Sequence, residues 1–329
     1  GIDILLDNKE KWDFFKGNEF SIGIPILQDR TRALIKIQDG CNNFCSYCIV
    51  PYLRGRERSK PYNIVLSEIE NYVNLGYREI VITGVRLGAY GHDFGEKDAL
   101  SKLLEKIIMI PEIKRIRLSS IEPMDITPSL IDLAKEEKIC KHWHIPLQSG
   151  DDEILRKMNR HYTVSHYKNL IKKIRKKFSL LRDGIEKNIT ISTDIIVGFP
   201  TEKRKQFERT AKLMKEIKFD MAYIAKYSPR EKTAAEKLKD DVSEKEKERR
   251  WKILTEILKK TALEKNKKYL NKFLDVLIEK KTEEFLFGKT KTFKNVKIKI
   301  EKKLEKKKSG DFIKVKIKKA NPWGLEGKI

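Results

Sequence analysis

The sequence of 329 residues predicts an α/β fold, a partial (β/α)6 barrel, followed by a small OB-like all-β barrel. Two observations predict the first part. Short apolar segments alternate with longer segments, and in the longer ones apolar residues recur three and four positions apart. A third observation predicts the second part, because apolar residues and lysines alternate after residue 269, as in half-buried strands. The length suffices for one large domain and one small one.

Six predicted strands are short, rich in β-branched residues and nearly continuously apolar, which is typical of buried parallel strands. Because strands and helices alternate, we expect right-handed crossover connections and either a barrel or an open sheet. Six strands favour a partial barrel over a full barrel of eight. The segments are ALIKIQ, EIVITG, RIRLSS, HWHIPLQ, TISTDIIVGF and MAYIAKY.

Five amphipathic segments between these strands predict helices, and their ends carry capping residues. Asn63, Asp98 and Thr163 occupy positions where a helix N-cap is expected, and Gly76 occupies a position where a helix ends. The segments are IVLSEIENYVNLG, ALSKLLEKII, SLIDLAKEE, VSHYKNLIKKIRKKF and KQFERTAKLMKEI.

The last part of the chain predicts one charged helix and then antiparallel strands with lysines on one face. The strands FLDVLIEK, FLFGKT, VKIKIEK and DFIKVKIKK are separated by turn residues, which favours a small barrel. We expect four regions: a linker preceding the core, the core, a connecting helix and a nucleic-acid-binding barrel, at 1–26, 27–242, 243–268 and 269–329.

The net charge of +24 and the pI near 9.6 make nucleic acid the first partner to consider. Residues 269–329 alone contain 18 Lys and Arg against 8 Asp and Glu. Two alternatives remain: the charge reflects a lysine-rich genome, or the lysine face is only a solvated exterior. The sequence has no apolar run long enough for a membrane span and no signal peptide, so we expect a cytoplasmic protein with no membrane partner.

Three cysteines in the run CNNFCSYC, namely Cys41, Cys45 and Cys48, are the strongest chemical signal. Cysteine-only ligation points to iron–sulfur or zinc, and three thiolates leave one iron of a four-iron cluster open. Structural zinc sites normally close with a fourth ligand, and the only other cysteine, Cys140, lies far along the chain. A zinc or free-thiol cluster is the alternative. The clustering fits metal binding in a reducing compartment better than a disulfide framework.

Four segments around these residues resemble the radical S-adenosylmethionine (SAM) methylthiotransferases over nearly the whole chain. They are KIQDGCNNFCSYCIVPYLRGRERSKP, RIRLSSIEP, HIPLQSGDDEILRKMNRHYT and TDIIVGFPTE. The resemblance implies a radical-SAM barrel, and for residues 269–329 the RNA-binding module called TRAM. It also implies that a methylthio group is placed on C2 of an adenosine beside the tRNA anticodon, or on a ribosomal-protein aspartate.

The resemblance implies two cofactors, a 4Fe–4S cluster held by Cys41, Cys45 and Cys48, and SAM bound to the open iron. Reduction of SAM would yield a radical able to remove hydrogen from an unactivated carbon, so no side chain is expected to act as a catalytic acid or base. Five residues are candidates for SAM binding: Tyr47, Glu122, Gln148, Arg160 and Asp194. Tyr47 could instead pack in the core, and a buried ion pair is the alternative role for Asp194 and Arg160.

Three further segments have two open roles each. Gly198 in GFP could let the backbone approach SAM or only relieve crowding. The arginines of PYLRGRERSKP, Arg54, Arg56 and Arg58, could contact tRNA phosphate or balance the cluster charge. The histidines, His142 and His144 among them, are expected to pack or hydrogen-bond rather than bind metal. The chain departs from the family pattern at Lys203, Arg204, Glu231 and Lys232, near the expected substrate side.

The branch within the family depends on two segments. TGVRLGAYG and RLSSIEP resemble the enzymes that act on N6-threonylcarbamoyladenosine at position 37 of tRNA, which is the main expectation. The branch acting on N6-isopentenyladenosine is the alternative. The positive C-terminal module argues against the ribosomal-protein branch. A nucleic-acid-binding protein with a structural cluster is the alternative from a different class.

The resemblance also implies partners and a further domain. We expect the tRNA anticodon stem-loop as substrate and an electron donor such as flavodoxin or ferredoxin. Family members begin with a domain that holds a second, auxiliary 4Fe–4S cluster, and its three cysteines are not in this sequence. Because residue 1 is glycine and GIDILLDNKEKWDFF resembles the tail of that domain, we expect a fragment that cleaves SAM without completing methylthiolation.

Overall fold

The computed structural model describes residues 31–133, 135–179 and 189–329. The expected linker at 1–26 therefore lies outside the described residues. Among the residues that are described, no helix combines the length and the apolar character needed to cross a bilayer.

Six parallel strands follow one another in chain order, as the sequence predicts. They form two sheets, β2-β1-β3-β4 and β5-β6-β7, which a parallel bridge between Ser120 and His144 connects. Strand β2 is a two-residue antiparallel addition to the edge of β1. The strands are β1 (Ala33–Asp39), β2 (Arg58–Ser59), β3 (Glu79–Gly84), β4 (Arg115–Leu118), β5 (His142–His144), β6 (Thr190–Val197) and β7 (Met221–Lys226).

Helices lie between these strands and bury their apolar faces against them. One large core contains the outward-facing residues of the strands, such as Ile35, Ile82 and Ile195, together with the helix residues packed on them. The helices are α1 (Val50–Arg54), α2 (Tyr62–Asn74), α3 (Ala99–Ile108), α4 (Pro128–Leu133), α5 (Asp152–Lys157), α6 (Val164–Ser179), α7 (Arg204–Ile217) and α8 (Glu244–Lys267).

The capping predictions are confirmed except at one position. Asp98 is the N-cap of α3, and the Thr163 hydroxyl accepts the His166 N–H at 3.1 Å. Gly76 follows α2 with φ of +92°, a conformation that favours glycine. Asn63 is wrong as an N-cap, because α2 begins at Tyr62, two residues earlier than expected, and its N-cap is Pro61. The fixed φ of Pro61 suits the entry to a helix.

Five strands, paired both parallel and antiparallel, form a closed barrel in the order β10-β12-β11-β8-β9. This confirms the predicted small all-β barrel. Apolar residues face inward and lysines outward on β10 and β11. The sequence analysis missed β12, because GLEGK has one large apolar residue between two glycines. The strands are β8 (Phe273–Lys281), β9 (Phe285–Thr290), β10 (Asn295–Lys299), β11 (Phe312–Asn321) and β12 (Gly324–Lys328).

The β9–β10 turn of the second barrel closes the amino-terminal end of the first barrel. Phe293, with φ of +65°, stacks on His142 at 4.6 Å between ring centroids. The Arg117 guanidinium and the Lys289 ammonium lie 4.5 and 4.1 Å from the Phe293 ring centroid. Cations over an aromatic face are attracted by its quadrupole, so this ring joins the two barrels electrostatically as well as by packing.

Charged groups around this turn are matched across the junction. The buried Asp220 carboxylate, just before β7, accepts Lys265 of α8 at 2.7 Å and Lys294 of the turn at 3.0 Å. Arg115 donates to the carbonyl of Asp275 at 2.7 Å. Burial alone raises the pKa of Asp220, but Lys294 and Lys265 outweigh it and hold that pKa below its ordinary value.

Candidate functional site

The three cysteines lie on the loop between β1 and α1, at the carboxyl-terminal edge of the parallel strands. Gly40 begins the loop with φ of +73°, and a Cβ there would lie 1.9 Å from the Arg56 carbonyl oxygen. The Cys41 N–H donates to the Gly55 carbonyl at 3.1 Å. The loop therefore folds back on its own exit, and only glycine fits at its start.

A second predicted motif, KMNRHYT, holds the same loop from outside. The Asn159 side-chain amide donates to the carbonyls of Asn43 and Phe44 at 3.1 and 2.9 Å. The Ser46 N–H and hydroxyl donate to the carbonyls of Met158 and Lys157 at 3.0 and 2.8 Å. Two motifs that are distant in sequence therefore form one supporting contact, and Asn159 is a residue that sequence reasoning missed.

Arg86 is a second missed residue, and it anchors the loop from the side of β3. Its guanidinium binds Glu57 at 2.8 Å and Asp125 at 2.6 and 2.9 Å. The Glu57 carboxylate also accepts the Asn42 N–H at 3.1 Å. The sequence offered one signal for Arg86, namely a charged residue inside the segment TGVRLGAYG. Its partners depend on the fold, and most of this segment is buried scaffold.

The sulfur atoms already have hydrogen-bond donors directed at them. The Arg160 Nη1 lies 3.2 Å from Cys45 Sγ, and the Asn43 N–H lies 3.5 Å from Cys41 Sγ. Burial raises the pKa of the Cys41 thiol to about 11 and also raises that of Cys48. Thiols with such pKa values are protonated at neutral pH without metal, so ligation must release protons.

These residues fit a cluster better than a single metal ion. Within the described ranges, no group of three His, Cys, Asp or Glu side chains is placed to hold one metal ion. A four-iron cluster takes one thiolate per iron, so its ligands stand apart on one loop. The guanidinium and N–H donors would offset the thiolate charge, as outer-sphere groups do at metal sites.

Arg160 and Glu122 form an ion pair beside Cys45. The two guanidinium nitrogens face the two carboxylate oxygens, with Nη1 to Oε1 at 3.3 Å, and Arg160 Nε donates to the Tyr162 hydroxyl at 3.2 Å. Arg160 is buried, whereas the Glu122 side chain is 20% exposed. Arg160 and Asp194 do not pair with each other. The structure thus brings two of the predicted SAM-binding residues together next to a predicted cluster ligand.

A cavity of about 700 Å³ opens next to the loop and contains the other candidates in its lining. Tyr47, Cys48, Gln148 and Asp194 line it, together with the whole of β7, part of α8 and Trp323 of the second barrel. Its volume lies within the range of sites for small ligands. Tyr47 also contacts the apolar cluster around Phe199 and Tyr227, so this residue both packs and faces the cavity.

Gly198 is packed closely against α8. A Cβ on Gly198 would lie 2.3 Å from Cγ of Lys247, whose buried ammonium binds Asp240 and Glu244 at 2.6 and 2.8 Å. Relief of crowding, the second expected role of this glycine, agrees with the geometry. The first role, approach of the backbone to SAM, stays a prediction.

The remaining candidates are not among the residues that line the cavity. Arg54 and Arg56 are exposed, and the Arg56 guanidinium lies 5.0 Å from the Phe44 ring centroid. Lys232 has φ of +65°, a left-handed conformation that favours glycine. His144 and His142 both make hydrogen bonds, as expected; these are described below.

Comparison with protein families agrees with the two barrels. Residues 35–214 match the model of the radical SAM superfamily, and residues 267–329 match the TRAM domain. The second match coincides with the end of α8 and the closed barrel, and the first contains most of β1, the cysteine loop and the strands up to β6.

Curated relatives match along most of the chain. A protein of Clostridium botulinum named tRNA-2-methylthio-N(6)-dimethylallyladenosine synthase is 39% identical over 95% of this chain and 68% of its own. A protein of the same name from Petrotoga mobilis is 39% identical over 98% of this chain and 73% of its own. The chain thus spans about two thirds of the length of such relatives, with 64% for another Clostridium botulinum strain.

Solved structures with a similar fold include coproporphyrinogen III oxidase (HemN) from Escherichia coli, a radical SAM enzyme. The TM-score is 0.48 and the identity 16%, over 74% of this chain and 56% of that one.

Proposed function

Because the chain belongs to the radical SAM superfamily, and within it to the family of the tRNA methylthiotransferases, we propose that it modifies a tRNA adenosine. The proposed reaction places a methylthio group on C2 of N6-dimethylallyladenosine, which is the N6-isopentenyladenosine at position 37 beside the anticodon. The observation that carries this proposal is identity of 39% to synthases of that name over nearly the whole chain.

The cofactors of this family are a 4Fe–4S cluster and SAM. When bound, they supply the one-electron chemistry that removes hydrogen from an unactivated carbon, which acid–base side chains cannot do at neutral pH. In the proposal, Cys41, Cys45 and Cys48 hold the cluster as thiolates. An electron donor such as flavodoxin or ferredoxin stays a prediction.

The other residues of the site bind, orient and exclude water. Arg160, fixed by Glu122 and Tyr162, places positive charge beside Cys45 and would offset thiolate charge there. Tyr47, Gln148 and Asp194 line the cavity where SAM would lie, with the carboxylate suited to hydroxyl or ammonium donors. Burial raises the pKa of the Tyr47 hydroxyl far above neutrality, so this side chain stays uncharged.

The relatives favour the dimethylallyl branch over the threonylcarbamoyl branch, which the sequence analysis placed first. The physical reason for the misjudgement lies in the two segments used. Arg86 of TGVRLGAYG binds Glu57 and Asp125, and Arg117 of RLSSIEP binds the buried Glu79 at 2.9 Å. These side chains support the barrel, so they carry little information about the base.

The exterior of the closed barrel supports RNA as the substrate class. Lys297 lies 3.8 Å from the Phe285 ring centroid on one strand pair, and Lys316 lies 5.6 Å from that of Phe273 on another. Phe273 is 53% exposed. Lysines interleaved with exposed aromatic rings can bind phosphates and stack on bases at the same surface.

The test uses the chain after anaerobic reconstitution with iron and sulfide. We expect reductive formation of 5′-deoxyadenosine from SAM, faster with a stem-loop that carries dimethylallyladenosine than with one that carries threonylcarbamoyladenosine. A full-length relative should add methylthio to the same stem-loop, detected by mass spectrometry of nucleosides. The reverse preference would restore the threonylcarbamoyl branch.

The alternative from a different class is a binding protein with a structural cluster. It predicts a cluster that forms and RNA that binds, while SAM stays intact under reduction. That result would refute the proposed enzyme.

A further inference from the structure

A chain of hydrogen bonds runs inside the first barrel from the cavity toward the amino-terminal end. Asp194 Oδ2 lies 2.8 Å from His144 Nε2, and His144 Nδ1 lies 2.9 Å from Ser192 Oγ. Ser192 Oγ also lies 2.8 Å from His142 Nε2. The four residues of this chain come from β5 and β6, whose parallel pairing places His144 directly opposite Ser192.

Exposure decreases along this chain. The Asp194 side chain is 37% exposed at the cavity, and that of His144 is 14% exposed. Ser192 and His142 are buried, and the Nδ1 of His142 has no protein partner among the described residues. One end of the chain therefore faces a ligand-sized space, while the other end lies in the protein interior.

Counting protons gives the chain a direction. Burial lowers the pKa of His142 well below its ordinary value, with Arg117 acting in the same sense, so His142 is neutral. Ser192 has one hydroxyl proton and faces two ring nitrogens, so it can donate to only one of them. If His142 Nε2 donates to Ser192, Ser192 donates to His144 Nδ1, and His144 Nε2–H then points at Asp194.

The opposite direction is disfavoured at the Asp194 end. With a single proton on the His144 ring, it would place an unprotonated nitrogen against the Asp194 carboxylate. The His142 end does not distinguish the two directions, because among the described residues its Nδ1 has no partner in either. The chain of donors therefore ends on Asp194 and favours one orientation of its carboxylate.

We propose that Ser192 and His144 are positioning residues that hold the Asp194 carboxylate toward a hydroxyl or ammonium donor of SAM. The inference rests on the proposed function, because SAM is taken as the ligand of the cavity. Ser192 is not among the residues that line the cavity, so the hydrogen bonds through His144 to Asp194 are the route by which it would act on SAM.

The test measures the equilibrium affinity for SAM of the reconstituted chain without reductant, so that SAM is not consumed. Asp194→Asn should weaken SAM binding about 10-fold or more, since hydrogen bonds to charged groups are the strong ones. Ser192→Ala should weaken it about 3- to 10-fold. Ser119→Ala is the matched control, because among the described residues the Ser119 hydroxyl has no hydrogen-bond partner, and it should leave the affinity for SAM unchanged.

A double-mutant cycle separates positioning from a structural role. In the Asp194→Asn background, Ser192→Ala should have less than about a twofold further effect, because it acts through the group already removed. Equal effects in both backgrounds, or none in either, would overturn the inference.

A second variant covers the case in which Ser192→Ala does not fold. His144→Asn can still accept from Ser192 but cannot reach Asp194, and it should weaken SAM binding at least as much. Normal affinity in this variant would overturn the inference. If the unaltered chain neither binds nor cleaves SAM, the proposed function fails, and this inference with it.

Discussion

The two ends of the strand barrel are built in opposite ways. At the carboxyl-terminal end, a loop with three cysteines borders a cavity of about 700 Å³, and side chains such as Asp194 and Glu122 remain partly exposed. At the amino-terminal end, Phe293 covers the opening, and Asp220 is buried between Lys265 and Lys294.

This difference shows that one end of the strand barrel carries the candidate site, whereas the other end holds the second barrel. Charges at the covered end are neutralised by neighbours, as in the pair of Arg117 with Glu79 at 2.9 Å. Charges at the open end are held in place by side chains behind them and point toward space for a ligand. The second barrel is therefore attached at the covered end, and it contributes Trp323 to the lining of the cavity.

The largest effect should come from replacing a cysteine at the open end, with replacement of a cysteine at the covered end as the control. Cys45→Ser removes a thiolate ligand, and since changes outside the ligand sphere already cost about 10- to 100-fold, we expect a greater loss of 5′-deoxyadenosine formation. Iron content after reconstitution should fall as well. Cys140→Ala is the control, because Cys140 is buried away from the loop. Normal iron content in Cys45→Ser would contradict the assignment.

The next effect concerns the covered end. Asp220→Asn leaves two lysines without their carboxylate, and breaking a buried pair costs about 3 kcal/mol in the free energy of unfolding. Because the pKa of Asp220 is lowered in the folded state, its stabilisation is present above the unfolded pKa of about 3.9 and is lost as pH falls through the lower folded value. Unfolding by urea at pH values from 7 down to 2 measures both the loss of unfolding free energy and its dependence on pH.

Asp132→Asn is the matched control for this experiment. Asp132 also binds two lysines, Lys135 at 3.0 Å and Lys177 at 2.6 Å, but its side chain is 53% exposed. Exposed pairs contribute little, so no measurable change is expected. An equal loss of unfolding free energy in both variants would show that the buried pairs of Asp220 stabilise the fold no more than exposed pairs do.

The smallest effect should come from the exterior of the second barrel. Lys316→Ala and Lys297→Ala should each lower affinity for a tRNA stem-loop a few-fold and reduce the salt dependence of binding by about 0.7 to 0.9 in slope. Lys259→Ala on α8, where Lys259 pairs with Glu256 at 2.6 Å, serves as control. An unchanged salt slope in both barrel variants would favour the reading of the lysine face as a solvated exterior.

Local patterns predicted the elements well. The periods of apolar residues predicted the six parallel strands and the helix Glu244–Lys267, because burial of one face depends on neighbours close in sequence. The lysine alternation predicted a barrel, although β12 was missed. The cysteine triplet with its flanking motifs identified the family, because a few neighbouring residues of the sequence determine the number and the spacing of the ligands.

Partners that are distant in sequence could be found only in the folded chain. The place of Arg86 between Glu57 and Asp125, the link from Asp194 to His142 and the role of Gly198 beside Lys247 each join separate segments. The packing of the whole barrel decides which polar groups come into contact. A buried charged group pairs with whichever partner the strands place near it. Composition and spacing therefore define the chemistry available, whereas tertiary contacts decide which residues support the site and which face it.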